Sequence, residues 1–462
     1  METGLPKVSF WKTIAPRERL GWVVYDWANS AFVLCVITVI GSAYFVGVFG
    51  AAAREGPPLR VGEAPALDFA GILLTAEAAW SFLIAASALV VALSSPLLGA
   101  IADGIGAKKR FLQVYCAVGV AATLGLWWGW PWWAVGLLIL IGNIGFEGGN
   151  VYYNAFLPEI APPGERDLLS SVGYAFGYLG GVIVLIAALL FFVPDAMVAQ
   201  LGDVHDVFLV IGLWWGGFAL ITFATVRDRP AARKAGGLGG VIAEAWRELV
   251  RTVRGIRNYP NAALFLLAFL FYNDGIATLI SNATPYALQN IYLDSSLTEK
   301  VGLSQLIPAI IIVQLVAFPG SLFCGWLATR FGEKAAIYFT LAVFTGVVAY
   351  GQVIQLITEF YVMSALIGLV LGGAQAVSRA LFASLIPEGK SAEFFAFFAL
   401  SAKFSAMIGP LVYGLLLLLT GSTRAALLSL VIFFIVGGGL LALVDVTEGR
   451  EQARLAGSAA KT

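Results

Sequence analysis

Charge is scarce in this chain: only 12% of its 462 residues are Asp, Glu, Lys or Arg, whereas 60% are apolar or aromatic. Soluble proteins carry about 25% charged residues, so this composition excludes an ordinary soluble enzyme. A single histidine, His205, argues against a catalytic or metal cluster, and we expect neither a metal nor a cofactor. The three cysteines lie within apolar runs, which indicates small core residues rather than disulfides. Equal numbers of basic and acidic residues, 28 of each, argue against nucleic acid as a partner.

Long apolar runs are the feature that the chain has in excess. Eight runs contain no charge and four contain a single charge, which makes twelve in all. In chain order they cover 31–53, 78–102, 111–130, 131–158, 168–194, 207–226, 261–293, 301–329, 335–358, 360–386, 394–423 and 425–444, with the first helix starting near residue 20. Because lipid requires every backbone group to be satisfied internally, the sequence predicts an all-α polytopic membrane protein with twelve transmembrane helices.

The basic residues are distributed unevenly between alternate loops. With twelve spans, 22 of the 28 Lys and Arg residues fall in the loops that share a side with both termini, four fall in the opposite loops, and two lie within spans. Cytoplasmic loops carry the excess of basic residues. The sequence therefore predicts a multi-pass protein of the cell membrane with both termini in the cytoplasm.

Short strings repeat between the two halves of the chain. Gly99–Lys109 after the second run is repeated by Gly325–Lys334 after the eighth, and Ala155–Glu159 by Ala383–Glu388, each at an offset of about half the chain. Tandem six-helix halves are a transporter architecture. We predict a first half over 1–226, a cytoplasmic linker over 227–259 with a basic amphipathic helix, a second half over 260–446 and a cytoplasmic tail over 447–462. We interpret the linker helix as a tether, with a lipid-sensing role as the alternative.

The string Gly99–Lys109 resembles the cytoplasmic loop signature of the major facilitator superfamily. Its glycines allow the second and third spans to pack closely, and Asp103 can cap or pair across the inner gate. The second copy has Thr329 in place of the acid. The resemblance implies a cytoplasmic gate, for which the candidate residues are Gly99, Asp103, Gly106, Lys108, Lys109 and Arg330.

Longer strings resemble one branch of that superfamily. They are Tyr25–Phe32, Asn154–Ala161, Gly177–Gly181, Tyr272–Gly275, Gly372–Phe382 and Gly409–Pro410, which follow in this order along essentially the whole chain. Together they are similar to the branch that includes the fungal vacuolar amino-acid effluxer linked to autophagy. This resemblance implies the major facilitator fold more firmly than it implies a cargo.

Five ionisable residues fall inside the predicted spans. Intramembrane charges cost about 2.5–3.5 kcal/mol each on insertion scales, so each is a functional hypothesis. Three are acids and two are bases, and polar residues at helical spacing accompany them. The candidate substrate or proton site is Asp26, Asn29, Glu147, Asn150, Asp274, Gln375, Arg379 and Lys403. The alternative is that the cations pair with the acids and close a gate.

Carboxylates in one half facing cations in the other suit a zwitterion. We therefore predict a secondary transporter that works by alternating access, moves amino acids or similar small metabolites, and couples to protons through Glu147 or Asp26. Its partners would be the substrate, protons and the bilayer, and we expect a monomer. The alternatives are a multidrug exporter, whose usual Gly-Pro motif is missing from the fifth span, and an intramembrane enzyme, for which no metal or nucleophile signature is present.

Overall fold

The computed structural model describes residues 13–55, 60–61, 64–69, 72–191, 205–229, 240, 246–247, 259–301, 303–387, 390–420 and 422–459. Most of the linker lies outside these ranges, and with it the predicted amphipathic helix.

Long helices make up nearly all of the described chain. In order they are α1 (Arg17–Glu55), α2 (Ala76–Ile105), α3 (Lys108–Gly125), α4 (Trp132–Ile160), α5 (Arg166–Phe191), α6 (His205–Thr225), α7 (Pro260–Asn290), α8 (Leu303–Phe331), α9 (Glu333–Tyr350), α10 (Ile357–Ser384), α11 (Ser391–Thr420), α12 (Thr423–Leu443) and α13 (Val446–Ala459). Eleven of them, all except α11 and α13, are long and apolar enough to cross a membrane. At 30 residues, α11 is about 45 Å long. The predicted helical membrane protein is confirmed, and the number twelve stays a prediction.

A small antiparallel sheet lies between α1 and α2, where the sequence analysis expected only a loop. Strand β2 (Ala64–Phe69) pairs with β1 (Arg60–Val61) on one side and with β3 (Ile72–Thr75) on the other. The six residues of β2 are too few to show a clear alternation of apolar and polar positions. Sequence periodicity therefore does not separate this element from a turn-rich loop.

Glycines set how closely the central helices approach each other. A Cβ built on Gly180 of α5 would lie 2.4 Å from the Trp27 carbonyl oxygen of α1. The corresponding pair in the other half is α7 and α11, where a Cβ on Gly409 would lie 2.6 Å from an Asp274 carboxylate oxygen. Small residues allow such close approach between membrane helices. A glycine at the contact therefore lets α1 pack against α5 and α7 pack against α11.

We call helices α1–α6 the first half and helices α7–α12 the second half. They meet tightly on the side of the bundle where α1 begins and α12 ends, which we call the terminal face. There the Lys108 ammonium donates to Ser391 Oγ at 2.8 Å, and the Arg166 guanidinium donates to the Ala383 carbonyl oxygen at 2.9 Å. Ser170 Oγ donates to the Ala376 carbonyl oxygen at 2.7 Å. All three bonds run from the first half to the second, so the bundle is closed at this face.

Candidate functional site

A cavity of about 450 Å³ lies between the halves, beyond the contacts of the terminal face. Helices α1, α4 and α5 line it from the first half, and α7, α8 and α10 line it from the second. Its polar lining is rich in amides: Asn29, Asn150, Asn154, Asn273, Gln314 and Gln375. Gln314 is 16 residues from Arg330 near the end of α8, which places it about 24 Å from the terminal face. The cavity therefore reaches the middle of the membrane.

Six of the eight residues predicted for the site line this cavity. They are Asp26, Asn29, Glu147, Asn150, Gln375 and Arg379. Asn29 of α1 donates from its amide nitrogen to Asn150 Oδ1 of α4 at 2.9 Å. Across the halves, Tyr178 Oη lies 3.4 Å from Gln375 Oε1. The cavity wall is thus a polar surface to which both halves contribute.

Glu147 reaches the cavity because its neighbours on α4 are glycines. A Cβ on Gly145 would lie 2.5 Å from the Gly119 Cα of α3, and one on Gly148 would lie 2.2 Å from the Tyr115 ring. These glycines let α3 press against one face of α4. Glu147 lies on another face of the same helix, where its side chain lines the cavity.

Arg379 of α10 is a buried cation of the site, with 2% of its side chain exposed. Its Nε donates to Ser170 Oγ at 2.8 Å, and its Nη2 donates to the Ser170 carbonyl oxygen at 2.8 Å. Its Nη1 donates to Asn154 Oδ1 at 3.1 Å and to Asp26 Oδ2 at 3.4 Å. The guanidinium therefore forms an ion pair with Asp26 that joins the two halves.

Asp26 has a second, shorter partner. Tyr153 Oη of α4 donates to the same Asp26 oxygen at 2.7 Å. The Arg379 nitrogens are 3.4 and 3.5 Å away, which exceeds the 2.7–2.9 Å of a tight charge-assisted bond. The ion pair between the halves is thus the looser of the two contacts that Asp26 makes.

Three residues that hydrogen-bond Arg379 or Asp26 were not among the predicted site residues: Tyr153, Asn154 and Ser170. Asn154 lies in a string quoted above, but its amide gave no reason to separate it from its neighbours. A signal was available for α5, since Ser170, Tyr174 and Tyr178 recur every four residues and so share one helix face. That polar stripe faces the second half.

Asp274 is not among the described residues that line the cavity. Asp274 is fully buried, and its Oδ2 accepts the Gly409 backbone N–H at 2.7 Å, next to Pro410 of α11. Pro410 lies inside α11 and has no N–H to continue the helical hydrogen bonds, so Asp274 accepts a backbone N–H beside the proline. Lys403 lies on α11, and its side chain falls outside what the structure describes.

The predicted gate residues cluster at the terminal face. The Lys108 ammonium lies 2.7 Å from Asp103 Oδ1 and also pairs with Glu159.

The other gate candidates lie at the ends of their helices or within them. Gly106 has a φ of +62° and follows the last residue of α2, and Gly99 is buried in the same helix. The Lys109 backbone N–H donates to Asp228 at 2.7 Å, and Arg330 is exposed at the end of α8.

A π-helical segment, Phe32–Val39, interrupts α1 beside the cavity. Thr38 Oγ1 donates to the Val33 carbonyl oxygen five residues earlier, and both residues line the cavity. Such π segments occur often at functional sites.

In the described ranges no three Asp, Glu, His or Cys side chains are grouped so as to hold a metal ion.

Comparison with known proteins links this architecture to one transporter family. The family model described as "Vacuole effluxer Atg22 like" matches residues 15–166 and 163–454. An uncharacterised MFS-type transporter of Bacillus subtilis, YxiO, is 32% identical over 89% of this chain and 90% of its own length. Autophagy-related protein 22-1 of Penicillium rubens is 26% identical over 95% of this chain and 91% of its own.

Solved structures share the fold at much lower identity. The human organic anion transporter MFSD10 matches with a TM-score of 0.63 at 15% identity, over 93% of this chain and 99% of its own. The proton:xylose symporter XylE matches with a TM-score of 0.64 at 13% identity, over 96% of this chain and 99% of its own. These matches show the major facilitator fold.

Proposed function

Because this membrane protein belongs to the Atg22-like effluxer family of the major facilitator superfamily, we propose that it is a secondary transporter for amino acids or similar small zwitterions. The observation that supports this most is the charge arrangement of the cavity. Asp26 and Glu147 lie on the wall of the first half, and Arg379 lies on the wall of the second. The planar guanidinium suits a carboxylate, and a carboxylate suits an ammonium group.

The cavity also has the size and polarity that such a cargo needs. About 450 Å³ lies within the usual range for small-molecule sites. Its amides can hydrogen-bond the polar end of a zwitterion, while Phe146, Phe269 and Leu371 offer apolar surface to a side chain. We propose that the halves rock about this cavity, so that it faces each side of the membrane in turn.

Proton coupling through Glu147 is the second part of the proposal. One proton moving down about 100 mV supplies roughly 2.3 kcal/mol, and one pH unit adds about 1.4 kcal/mol. The sum, about 3.7 kcal/mol, supports roughly a 500-fold substrate gradient. Glu147 is proposed for this role because its side chain lines the cavity that would hold the substrate.

We further propose that the protein acts as a monomer in the cell membrane, with the terminal face on the cytoplasmic side. The excess of basic residues in the loops of that face supports this orientation. In this orientation the closed terminal face blocks release of a bound substrate into the cytoplasm until the halves move.

Reconstituted vesicles test both parts of the proposal. Purified protein in liposomes is given an equimolar mixture of amino acids with and without a pH gradient, and uptake is read by mass spectrometry. We expect accumulation of a subset of amino acids in the wild type, which a pH gradient increases. The variant Glu147→Gln should lose the increase, because a neutral amide cannot exchange a proton.

Glu299→Gln provides the matched control, since Glu299 is exposed in the loop before α8. It should behave as the wild type does. Full pH-driven uptake by Glu147→Gln would exclude Glu147 as the coupling residue. If a cationic dye were transported and no amino acid were, the multidrug alternative would replace the proposed cargo.

A further inference from the structure

We propose that the first half contains a cation receptor, which Arg379 of the second half occupies in this state and which accepts a guanidinium or alkylammonium ligand once Arg379 withdraws. We call the receptor the cation cage and define it by Trp22, Asp26, Tyr153, Asn154, Ser170 and Tyr174. The inference rests on the proposed function in one respect, namely that the halves separate at the terminal face during transport.

The cage binds Arg379 as it would bind a separate ligand. Every hydrogen-bond acceptor named above for the guanidinium belongs to the first half: a carboxylate from α1, an amide oxygen from α4, and a hydroxyl and a carbonyl oxygen from α5. The acceptors lie around the planar group at 2.8–3.5 Å. Only the aliphatic stem of Arg379 connects the guanidinium to α10.

Aromatic rings complete the cage. The guanidinium carbon lies 4.3 Å from the Tyr174 ring centre, 4.8 Å from Trp22 and 5.6 Å from Tyr153. Rings within about 6 Å attract a cation through their negative faces. A carboxylate surrounded by aromatic rings is the chemistry that recognises guanidinium and alkylammonium groups.

The cage is held together by contacts within the first half. Trp22 stacks on Tyr153 with ring centres 4.5 Å apart, and its indole N–H donates to the Tyr153 carbonyl oxygen at 2.9 Å. Tyr153 in turn donates to Asp26. Gly173 leaves room for the carboxylate and the guanidinium, since a Cβ there would lie 2.7 Å from an Asp26 oxygen and 3.1 Å from Arg379 Nη2. The contacts among Trp22, Tyr153 and Asp26 do not involve α10, so this part of the cage stays assembled when α10 moves away, whereas Ser170 loses its bond to that helix.

Withdrawal of Arg379 has an electrostatic consequence for Asp26. The Asp26 side chain is 12% exposed, and without Arg379 its carboxylate would retain the Tyr153 hydroxyl. Removing one partner of a buried ion pair leaves an uncompensated charge, which is strongly unfavourable. A small cation that enters from the terminal face would therefore replace Arg379 and hold that face open.

Chemical rescue of a truncated arginine tests the cage. In purified Arg379→Ala protein, methylguanidinium should raise the melting temperature in a saturable manner, by roughly 1–2 °C at about ten times its Kd. Urea has a similar planar shape but no charge, and it should give no saturable rise at the same concentrations. Wild-type protein should show a much smaller rise, because methylguanidinium must compete with Arg379 for the cage.

Two variants serve as matched controls for the rescue. The double variant Arg379→Ala, Asp26→Asn lacks the carboxylate and should not respond to methylguanidinium. Arg450→Ala removes an arginine that pairs with Glu333 elsewhere on the terminal face, and it should not respond either. The proposal is overturned if Arg379→Ala fails to respond, if urea acts equally well, or if the double variant still responds.

A second measurement leaves Arg379 intact, in case its truncation prevents folding. Ser171 of α5 is buried against Gly325 of α8 at the contact between the halves. With the native cysteines replaced by alanine, a cysteine introduced by Ser171→Cys reports opening of the terminal face through its rate of maleimide labelling. Methylguanidinium should raise that rate several-fold and urea should not; equal rates with both would contradict the cage.

Neither measurement requires a transported substrate. If the cage binds methylguanidinium while reconstituted vesicles take up no amino acid, the proposed cargo fails and the cage stands. If amino acids are taken up but neither measurement responds, the cage fails and the proposed function stands.

Discussion

Asp26 and Asp274 are both buried acids on the first helix of their half, yet their surroundings give them different roles. Asp26 lies between a tyrosine hydroxyl and an arginine from the other half, at the end of the cavity. Asp274 accepts a backbone N–H within its own half. A buried carboxylate needs a partner to offset its desolvation, and the kind of partner decides whether conformational change disturbs it. Separation of the halves breaks the contact with Arg379 and leaves the one with Gly409.

Asp274 is therefore expected to contribute to stability more than to transport. Asp274→Ala leaves the buried Gly409 N–H without an acceptor, which should lower the free energy of unfolding by about 1–3 kcal/mol. Asp274→Asn keeps an acceptor oxygen and should cost less. Denaturant unfolding in detergent, followed by tryptophan fluorescence, measures both.

Transport provides the check on this assignment. Asp274→Asn should retain pH-driven uptake in vesicles. If it abolished the response to pH while Glu147→Gln preserved it, Asp274 would be the coupling residue instead.

The presence of a charge inside a predicted span identified more of the cavity-lining residues than the chemistry of uncharged side chains did. Asp26, Glu147 and Arg379 were singled out because a charge in lipid is costly, and all three line the cavity. Tyr153 carries no charge, and nothing in one sequence distinguishes it from other polar residues of a span. Ser170 is marked only by its four-residue spacing from Tyr174. Their importance comes from the proximity of α4, α5 and α10, which is a tertiary property.

At the level of helices, the glycine contact between α1 and α5 positions the cation cage. Asp26 and Trp22 come from α1, whereas Ser170 and Tyr174 come from α5, so a change in the spacing of these helices separates the acceptors of Arg379. Apolar runs predicted the helices well because lipid admits few alternatives. They did not predict which helices touch, since helix pairing depends on small-residue surfaces.

Gly180→Ala should disturb this contact. The new Cβ would lie 2.4 Å from the Trp27 carbonyl oxygen, so α1 and α5 must move apart, at a cost of about 1–3 kcal/mol typical of overpacking. Thermal unfolding in detergent measures the loss.

Gly217→Ala on α6 is the matched control, because a Cβ there would meet no described atom within 4 Å. Because Ala favours a helix over Gly by up to about 1 kcal/mol, this variant should leave stability unchanged or raise it slightly. A loss at Gly217 equal to the loss at Gly180 would show that close approach to Trp27 does not determine the effect at Gly180.

For the whole molecule, the sequence predicts the orientation in the membrane, and the structure shows which face is closed. The distribution of basic residues predicts which face is cytoplasmic, but it carries no information on which face is closed. The contacts of Lys108, Arg166 and Ser170 with the second half show that the terminal face is closed. If that face is cytoplasmic, the conformation described here belongs to the part of the cycle in which the cytoplasm has no access to the cavity.

Labelling of intact cells tests this orientation with two exposed positions on opposite faces. Ser295 lies in the loop between α7 and α8, and Arg330 lies at the terminal end of α8. In a background without the native cysteines, a membrane-impermeant maleimide should label Ser295→Cys in intact cells, whereas Arg330→Cys should react only after permeabilisation. The reverse pattern would place the termini outside the cell. The closed face would then be the external one, so the basic residues would have predicted the orientation wrongly while the closure itself would be unaffected.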